Sequence, residues 1–213
     1  MIKLTKSDKP AVLENNAQNW TEELLAALAD QNDERVKTLM RRYNHHEVKT
    51  ALKAETKEKC AYCEARVTDV AHGDIEHVTP KSIEIERTYD WNNLTFACQI
   101  CNQNKSNKEN IIDPYESNPE DHLFFAGAFA KGKTLAGTRS VLELKLNRTA
   151  LVESRNREIE RYADQIEKIF LVEDKRTRVL LIRGMLDELD TGRPEFVAAC
   201  RVVLRQYTAG QAA

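Results

Sequence analysis

Two cysteine pairs at CxxC spacing, Cys60/Cys63 and Cys98/Cys101, frame the stretch of this chain whose residue types suggest chemistry. Four thiolates in two such pairs can close a tetrahedral zinc site with no open position, which stabilises a fold and does no chemistry itself. Between the pairs runs GDIEHVTPKS, where the carboxylate of Glu76 stands beside the imidazole of His77. The second pair sits in WNNLTFACQICNQNK, which supplies Asn93, Asn102 and Lys105. Glu76 and the Asn102 amide oxygen are hard oxygen ligands of the kind Mg²⁺ or Mn²⁺ accepts. An ion with two protein ligands keeps room for waters and a phosphate oxygen, and can stabilise the charge that builds up on a phosphodiester under attack. An imidazole titrates near neutrality, so His77 can take a proton from the attacking water. Lys105 can neutralise a neighbouring phosphate. Asn102 follows a zinc ligand directly and is rigidly placed for that reason, while His72, Asp74 and Asn104 stand in reserve as ligands.

The elements must bring these groups together. Neighbours on a strand point to opposite faces, so Glu76 and His77 share a site only if the strand ends there or the ion sits at its tip. Thr79–Pro80 supplies that stop. CAYCEARV and DIEHVTPKS read as two short strands around a turn at His72–Gly73, and the Asn- and Lys-rich run after Cys101 as the opening of a helix. Upstream, residues 1–19 read as irregular, and Thr21 with Glu22 and Glu23 as a helix cap. A second helix starts near Asp33, with Val36, Leu39, Met40 and Tyr43 at helical spacing, and Val48, Ala51 and Leu52 mark a third. His45 and His46 read as surface or packing residues. Downstream, IIDPYESNPEDHLFF reads as a linker and GAFAKGKTLAGT as a hairpin or loop. The remainder is helical, with a core stripe of Ile159, Tyr162, Ile166, Ile169 and Phe170. A second stripe follows Pro194: Phe196, Val197, Cys200, Val203, Leu204 and Tyr207. The expected fold is mainly α, with a small ββα-metal module pinned by a four-cysteine zinc site and helical flanks. The segments are 1–54, 55–115 and 116–213, the last a candidate partner-binding region through RYADQIEKIF and the final helix.

Composition fits that reading. The chain has 213 residues, 31% of them charged, with 7 Gly and 5 Pro, a balance that favours helices over a β-sandwich. Its net charge is −2, unlike the strong basic excess of a stand-alone nucleic-acid binder. The acid excess lies in 55–115, so any nucleic acid there is held by a local basic face, a bound cation or a partner. No apolar leader opens the chain, and no apolar run approaches the roughly 20 residues of a membrane span. A soluble cytoplasmic protein with no membrane contact is expected, and in a reducing cytosol CxxC pairs are metal ligands rather than disulfides.

The run CAYCE…DIEHVTPKS…WNNLTFACQICNQNKSNK resembles the HNH endonuclease family with its ββα-metal core. The resemblance implies that Glu76 holds the catalytic ion together with Asn102, and that His77 is the general base. It also implies that Asn93 supports the loop and the orientation of His77, and that Lys105 is the lysine of the CNxxK tail. Two departures matter: the first position is more often Asp or His than Glu, and the last is often His. YNHHEVKTAL before the first pair and TRSVLELKLNRTALVESR after the second resemble one HNH subfamily, encoded beside an ABC- or SMC-like ATPase in bacterial anti-phage systems of the Septu type and related retron systems. That resemblance implies a nuclease acting on DNA with an ATPase partner. RNA offers the same phosphodiester. A non-catalytic zinc-knuckle adaptor and an HNH nuclease of restriction or mobile-element type are the competing readings.

Overall fold

The computed structural model describes the backbone of residues 1–209 and the side chains of residues 1–206; the Tyr207 side chain lies outside that range. Helix α1 (Ala11–Ala29) begins well before Thr21, correcting the expectation of an irregular start. Pro10 caps it with φ −57°, the value its ring imposes, and its carbonyl accepts from the Leu13 and Glu14 N–H groups at 2.9 Å. Thr21 is mid-helix, its hydroxyl donating back to Ala17 O at 2.8 Å. The asparagines that obscure the apolar pattern bond within the helix, Asn16 to Val12 O and Asn19 to Glu23, while Leu13, Leu24 and Ala27 are buried. Helix α2 (Asp33–Leu39) is capped by Asn32 and α3 (His46–Glu55) by His45.

Strand β1 (Asp74–His77) pairs antiparallel with β2 (Leu94–Ala97), placing Ile75 opposite Phe96, Glu76 opposite Thr95 and His77 opposite Leu94. The ββ unit is as expected, but its first strand is not CAYCEARV. That run is a tight turn joined by one bridge, Lys59 to Arg66, with Cys60 N bonded to Ala65 O and Ala61 N to Phe96 O, both at 2.9 Å. The reason is geometric. Two sulfurs at i and i+3 converge on one point only when the backbone curls, whereas a strand would set them on opposite faces. Gly73 leads into β1 at φ +63°, where a Cβ would lie 2.3 Å from the Phe96 ring. Residues 78–93 form a loop with 3₁₀ turns at Ile85–Tyr89 and Trp91–Asn93, and after β2 the short helix α4 (Gln99–Lys105) follows.

The expected linker is partly ordered. Helix α5 (Pro119–His122) leads into a hairpin of β3 (Leu123–Ala126) and β4 (Phe129–Gly132), so the LFF of HLFF belongs to the hairpin. Helices α6 (Leu135–Glu143), α7 (Thr149–Phe170), α8 (Lys175–Asp190) and α9 (Val197–Ala209) complete the described chain. Tyr162 and Ile166 on α7, and Val197, Cys200 and Leu204 on α9, are buried. These stripes are core, and the exposed apolar side chains Val179, Leu180 and Leu181 lie on α8 instead. Arg155 is buried in α7, donating to Ala128 O and to Leu146 O and lying over the Phe125 ring. One cluster of buried apolar residues runs from Leu13 and Leu52 through Tyr62, Trp91 and Phe96 to Leu144, Tyr162 and Val197. The segment before α9 grips the first cysteine turn: Arg66 N donates to Glu195 Oε1 at 2.5 Å, and Lys59 Nζ to Pro194 O at 2.6 Å. Among the described residues no helix is long and apolar enough to cross a membrane.

Candidate active site and metal centre

The four sulfurs of Cys60, Cys63, Cys98 and Cys101 all lie within 4.8 Å of one another, and those of Cys63 and Cys98 are 3.9 Å apart. Bonds of about 2.3 Å at tetrahedral angles put sulfurs roughly 3.8 Å apart around zinc, so this donor set fits a thiolate-bound ion. Cys98 also caps α4, its sulfur accepting from the Cys101 N–H at 3.4 Å. The Arg148 guanidinium stands 3.9 Å from the Cys101 sulfur and offsets the thiolates' negative charge. The cluster therefore fixes α4 against the turn that precedes β1.

That fixation sets the polar face of the site. Asp74 and Glu76, two apart on β1, share one side of the strand, and Asn102 and Lys105, three apart on α4, share one side of the helix. The two pairs match: Asn102 Nδ2 donates to Asp74 Oδ2 at 2.9 Å, and Lys105 Nζ meets Glu76 Oε1 at 2.9 Å. Lys105 also donates to His77 O at 2.7 Å. Its side chain has no exposed surface, so the ammonium expected at a phosphate is enclosed here and engaged with Glu76 and the backbone. Burial lifts the Glu76 pKa above its ordinary value, with the Lys105 ammonium pulling the other way. Asn102 commits its amide nitrogen to Asp74, which leaves the oxygen as the atom available to a cation. Of the reserve ligands, Asp74 is part of this face. Asn104 donates to Leu144 O at 3.3 Å and ties α4 to the tail, while His72 is exposed in the turn before β1.

His77 is the last residue of β1, and its ring meets Thr88 and Tyr43 while the Glu76 carboxylate meets Lys105. Its Nε2 lies 2.9 Å from Thr88 O. A carbonyl only accepts, so Nε2 carries the hydrogen and Nδ1 presents a lone pair. Burial pushes the His77 pKa down to about 3, the Thr88 carbonyl opposing and the Lys81 and Lys105 charges reinforcing that shift. The ring is neutral at physiological pH with its Nδ1 lone pair free, but burial corrects the expectation that it titrates near neutrality: its affinity for a proton is far below that of an ordinary imidazole. Asn93, fully buried, holds the loop that carries Thr88. It accepts from Thr79 N at 2.7 Å and donates to Thr79 O at 3.0 Å and Arg87 O at 3.3 Å. Its own carbonyl accepts from Val78 N at 2.9 Å.

Two residues of this site escaped the sequence reading. Tyr43, read there as part of the second helix but lying in the turn beyond α2, sets its ring edge-on to His77 at 4.5 Å. Lys81, inside the TPKS run, donates to the Tyr43 hydroxyl at 3.1 Å. A cation next to the Pro80 stop was the available signal. His45, His46 and Glu47 also bring ligand atoms within 4.8 Å, but the His45 Nδ1 is engaged on the Glu47 N–H as the cap of α3.

The two antiparallel strands, the helix after them, the four-cysteine cluster and the Glu-His dipeptide at the strand end define a ββα-metal module. Residues 60–108 match the family model described as HNH endonuclease. It is also similar to the Septu protein PtuB of Bacillus thuringiensis, 32% identical over 152 residues, 69% of this chain and 55% of that protein. The chain thus spans about half the length of this curated relative.

Proposed function

We propose that this protein is a metal-dependent nuclease that hydrolyses phosphodiester bonds of DNA, working as the effector of a Septu-type anti-phage system beside an ABC- or SMC-like ATPase. The observation that carries the reading is His77: a neutral imidazole at the end of β1, with Nε2 on Thr88 O and a lone pair on Nδ1, next to a buried carboxylate. Nδ1 takes the proton of an attacking water. Asn93 holds the loop so that the Thr88 carbonyl fixes the tautomer. Glu76 and the Asn102 oxygen, with Asp74 beside them, would hold the divalent ion, Mg²⁺ or Mn²⁺, and their hard oxygens fit it. When bound, that ion supplies charge stabilisation at the phosphate. Lys105 balances Glu76 and keeps its carboxylate in place. Zinc held by the four cysteines would keep α4, and with it Asn102, in register with β1.

The defence role rests on the Septu relative, and the ATPase on the subfamily resemblance of the motifs flanking the cysteine pairs; a retron system is the neighbouring assignment. The exposed apolar residues of α8 are where we place the partner, since the stripes of α7 and α9 are used in the core. The proposal includes a cytoplasmic location. The test is cleavage of plasmid DNA with Mg²⁺ or Mn²⁺, alone and with the ATPase encoded alongside. Cleavage lost in EDTA and in Glu76→Ala is expected. Cleavage of RNA instead would move the substrate. Zinc-dependent binding without cleavage of either would favour a zinc-knuckle adaptor.

A further inference from the structure

The site as described lacks a cation facing the substrate, because Lys105 is enclosed by Glu76 and His77 O. We propose that Lys81 is the residue that contacts the scissile phosphate, held in place by Tyr43; this rests on the nuclease reading above. Lys81 is partly exposed, and its ammonium sits 3.1 Å from the Tyr43 hydroxyl and 4.4 Å from the centroid of that ring. The same ring stands edge-on to His77, so one tyrosine touches both the base and the cation.

The charges around it are otherwise engaged. Arg87 pairs with Glu84 at 3.3 Å and with Asp90 at 2.9 Å, and Lys105 pairs with Glu76. Lys81 makes no ion pair with a carboxylate among the described residues. A lysine beside a general base, resting on an aromatic face and outside any salt bridge, is placed to meet an incoming anion, and its charge already acts on Glu76.

Its backbone is also rigid. Pro80 is buried, and its carbonyl accepts from Ile83 N at 2.9 Å and Glu84 N at 3.2 Å. One residue earlier, Thr79 is clamped through both N–H and C=O by Asn93. The clamp that orients His77 through the loop thus also places Lys81, and the hydroxyl of Tyr43 fixes where its flexible stem ends. The acidic balance of residues 55–115 makes such a local cation necessary if a polyanion is to approach Glu76.

The experiment compares wild type, Lys81→Met, Lys81→Arg and Tyr43→Phe for plasmid cleavage under single-turnover conditions, across a salt series, with thermal unfolding alongside. Lys81→Met keeps the stem and its packing while removing the charge. Expected are an unchanged unfolding temperature and a kcat/KM lowered at least about tenfold. The slope of log kcat/KM against log salt should be shallower by about 1, with Lys81→Arg restoring most of both. Tyr43→Phe should show a smaller loss, because the ring stays while the hydroxyl that positions the ammonium goes. A purely structural Lys81 would lower the unfolding temperature and leave the salt slope alone. Wild-type cleavage with Lys81→Met indistinguishable from it would overturn the assignment and leave the HNH reading intact. Absence of cleavage in wild type as well would remove both.

Discussion

His77 combines two properties that rarely coexist in an exposed histidine: a fixed tautomer and a protonation equilibrium displaced far into acid. Its native pKa is about 3 against about 6.5 in an unfolded chain. Below about 6.5 the unfolded state binds a proton that the native ring refuses, so stability drops as pH falls until the native pKa is reached. The expected penalty is about 1 kcal/mol per pH unit over that window. Thermal melts from pH 7 to 4.5 should show His77→Gln, which keeps a donor for Thr88 O, losing less than wild type; parallel losses would deny that the imidazole is held neutral. Asn93 makes a second test at this scale. Asn93→Asp retains an acceptor for Thr79 N but cannot donate to Thr79 O or Arg87 O. It should cost about 1–3 kcal/mol and at least tenfold in cleavage, read by denaturant titration and rate together. The residue identities of the site were readable because the chemistry is local: a Glu-His dipeptide and an Asn beside a cysteine. Lys81 and Tyr43 were not, because their roles exist only once the loop after β1 meets the turn that follows α2. The enclosure of Lys105 was equally hidden, since a lysine's direction depends on which strand faces its helix.

At the scale of elements, the cysteine cluster and the β1–β2 pair are one device. β1 offers Asp74 and Glu76, α4 offers Asn102 and Lys105, and the match depends on the sulfurs fixing α4. Gly73 sits at the entry of this device with a left-handed φ and the Phe96 ring against it. Gly73→Ala should therefore destabilise by about 2–4 kcal/mol through strain and displaced packing, measured by chemical denaturation; a change below about 0.5 kcal/mol would contradict the geometry. The sequence disclosed a ββα unit but mispaired its first strand. Short apolar runs do not announce partners, and the four buried residues of β2 carry no alternation. The early start of α1 was hidden by asparagines that bond along the helix rather than break it.

Over the whole molecule, the N-terminal helices, the central module and the helical tail share one core, and Lys59 and Arg66 bind the tail directly to the first cysteine turn. Removing an ion held by the four cysteines should therefore be felt throughout. A strong chelator, or Cys101→Ser, should lower the unfolding midpoint by more than about 10 °C in a single transition, with zinc analysis reporting about one ion lost per chain. A retained midpoint with the ion gone would separate the cluster from the fold. The partner surface belongs to this scale too. Leu180→Glu on α8 should leave the melt and the metal content unchanged while abolishing co-purification with the proposed ATPase partner; persistent association would place the partner elsewhere.

The most direct test of the central claim is plasmid cleavage with Mg²⁺ by wild type and His77→Ala, with and without that ATPase, after confirming that both proteins carry zinc and melt alike. Cleavage by wild type that EDTA abolishes is expected, with a loss of at least about a hundredfold in His77→Ala. Equal cleavage by the two proteins would contradict the assignment of His77 as the base.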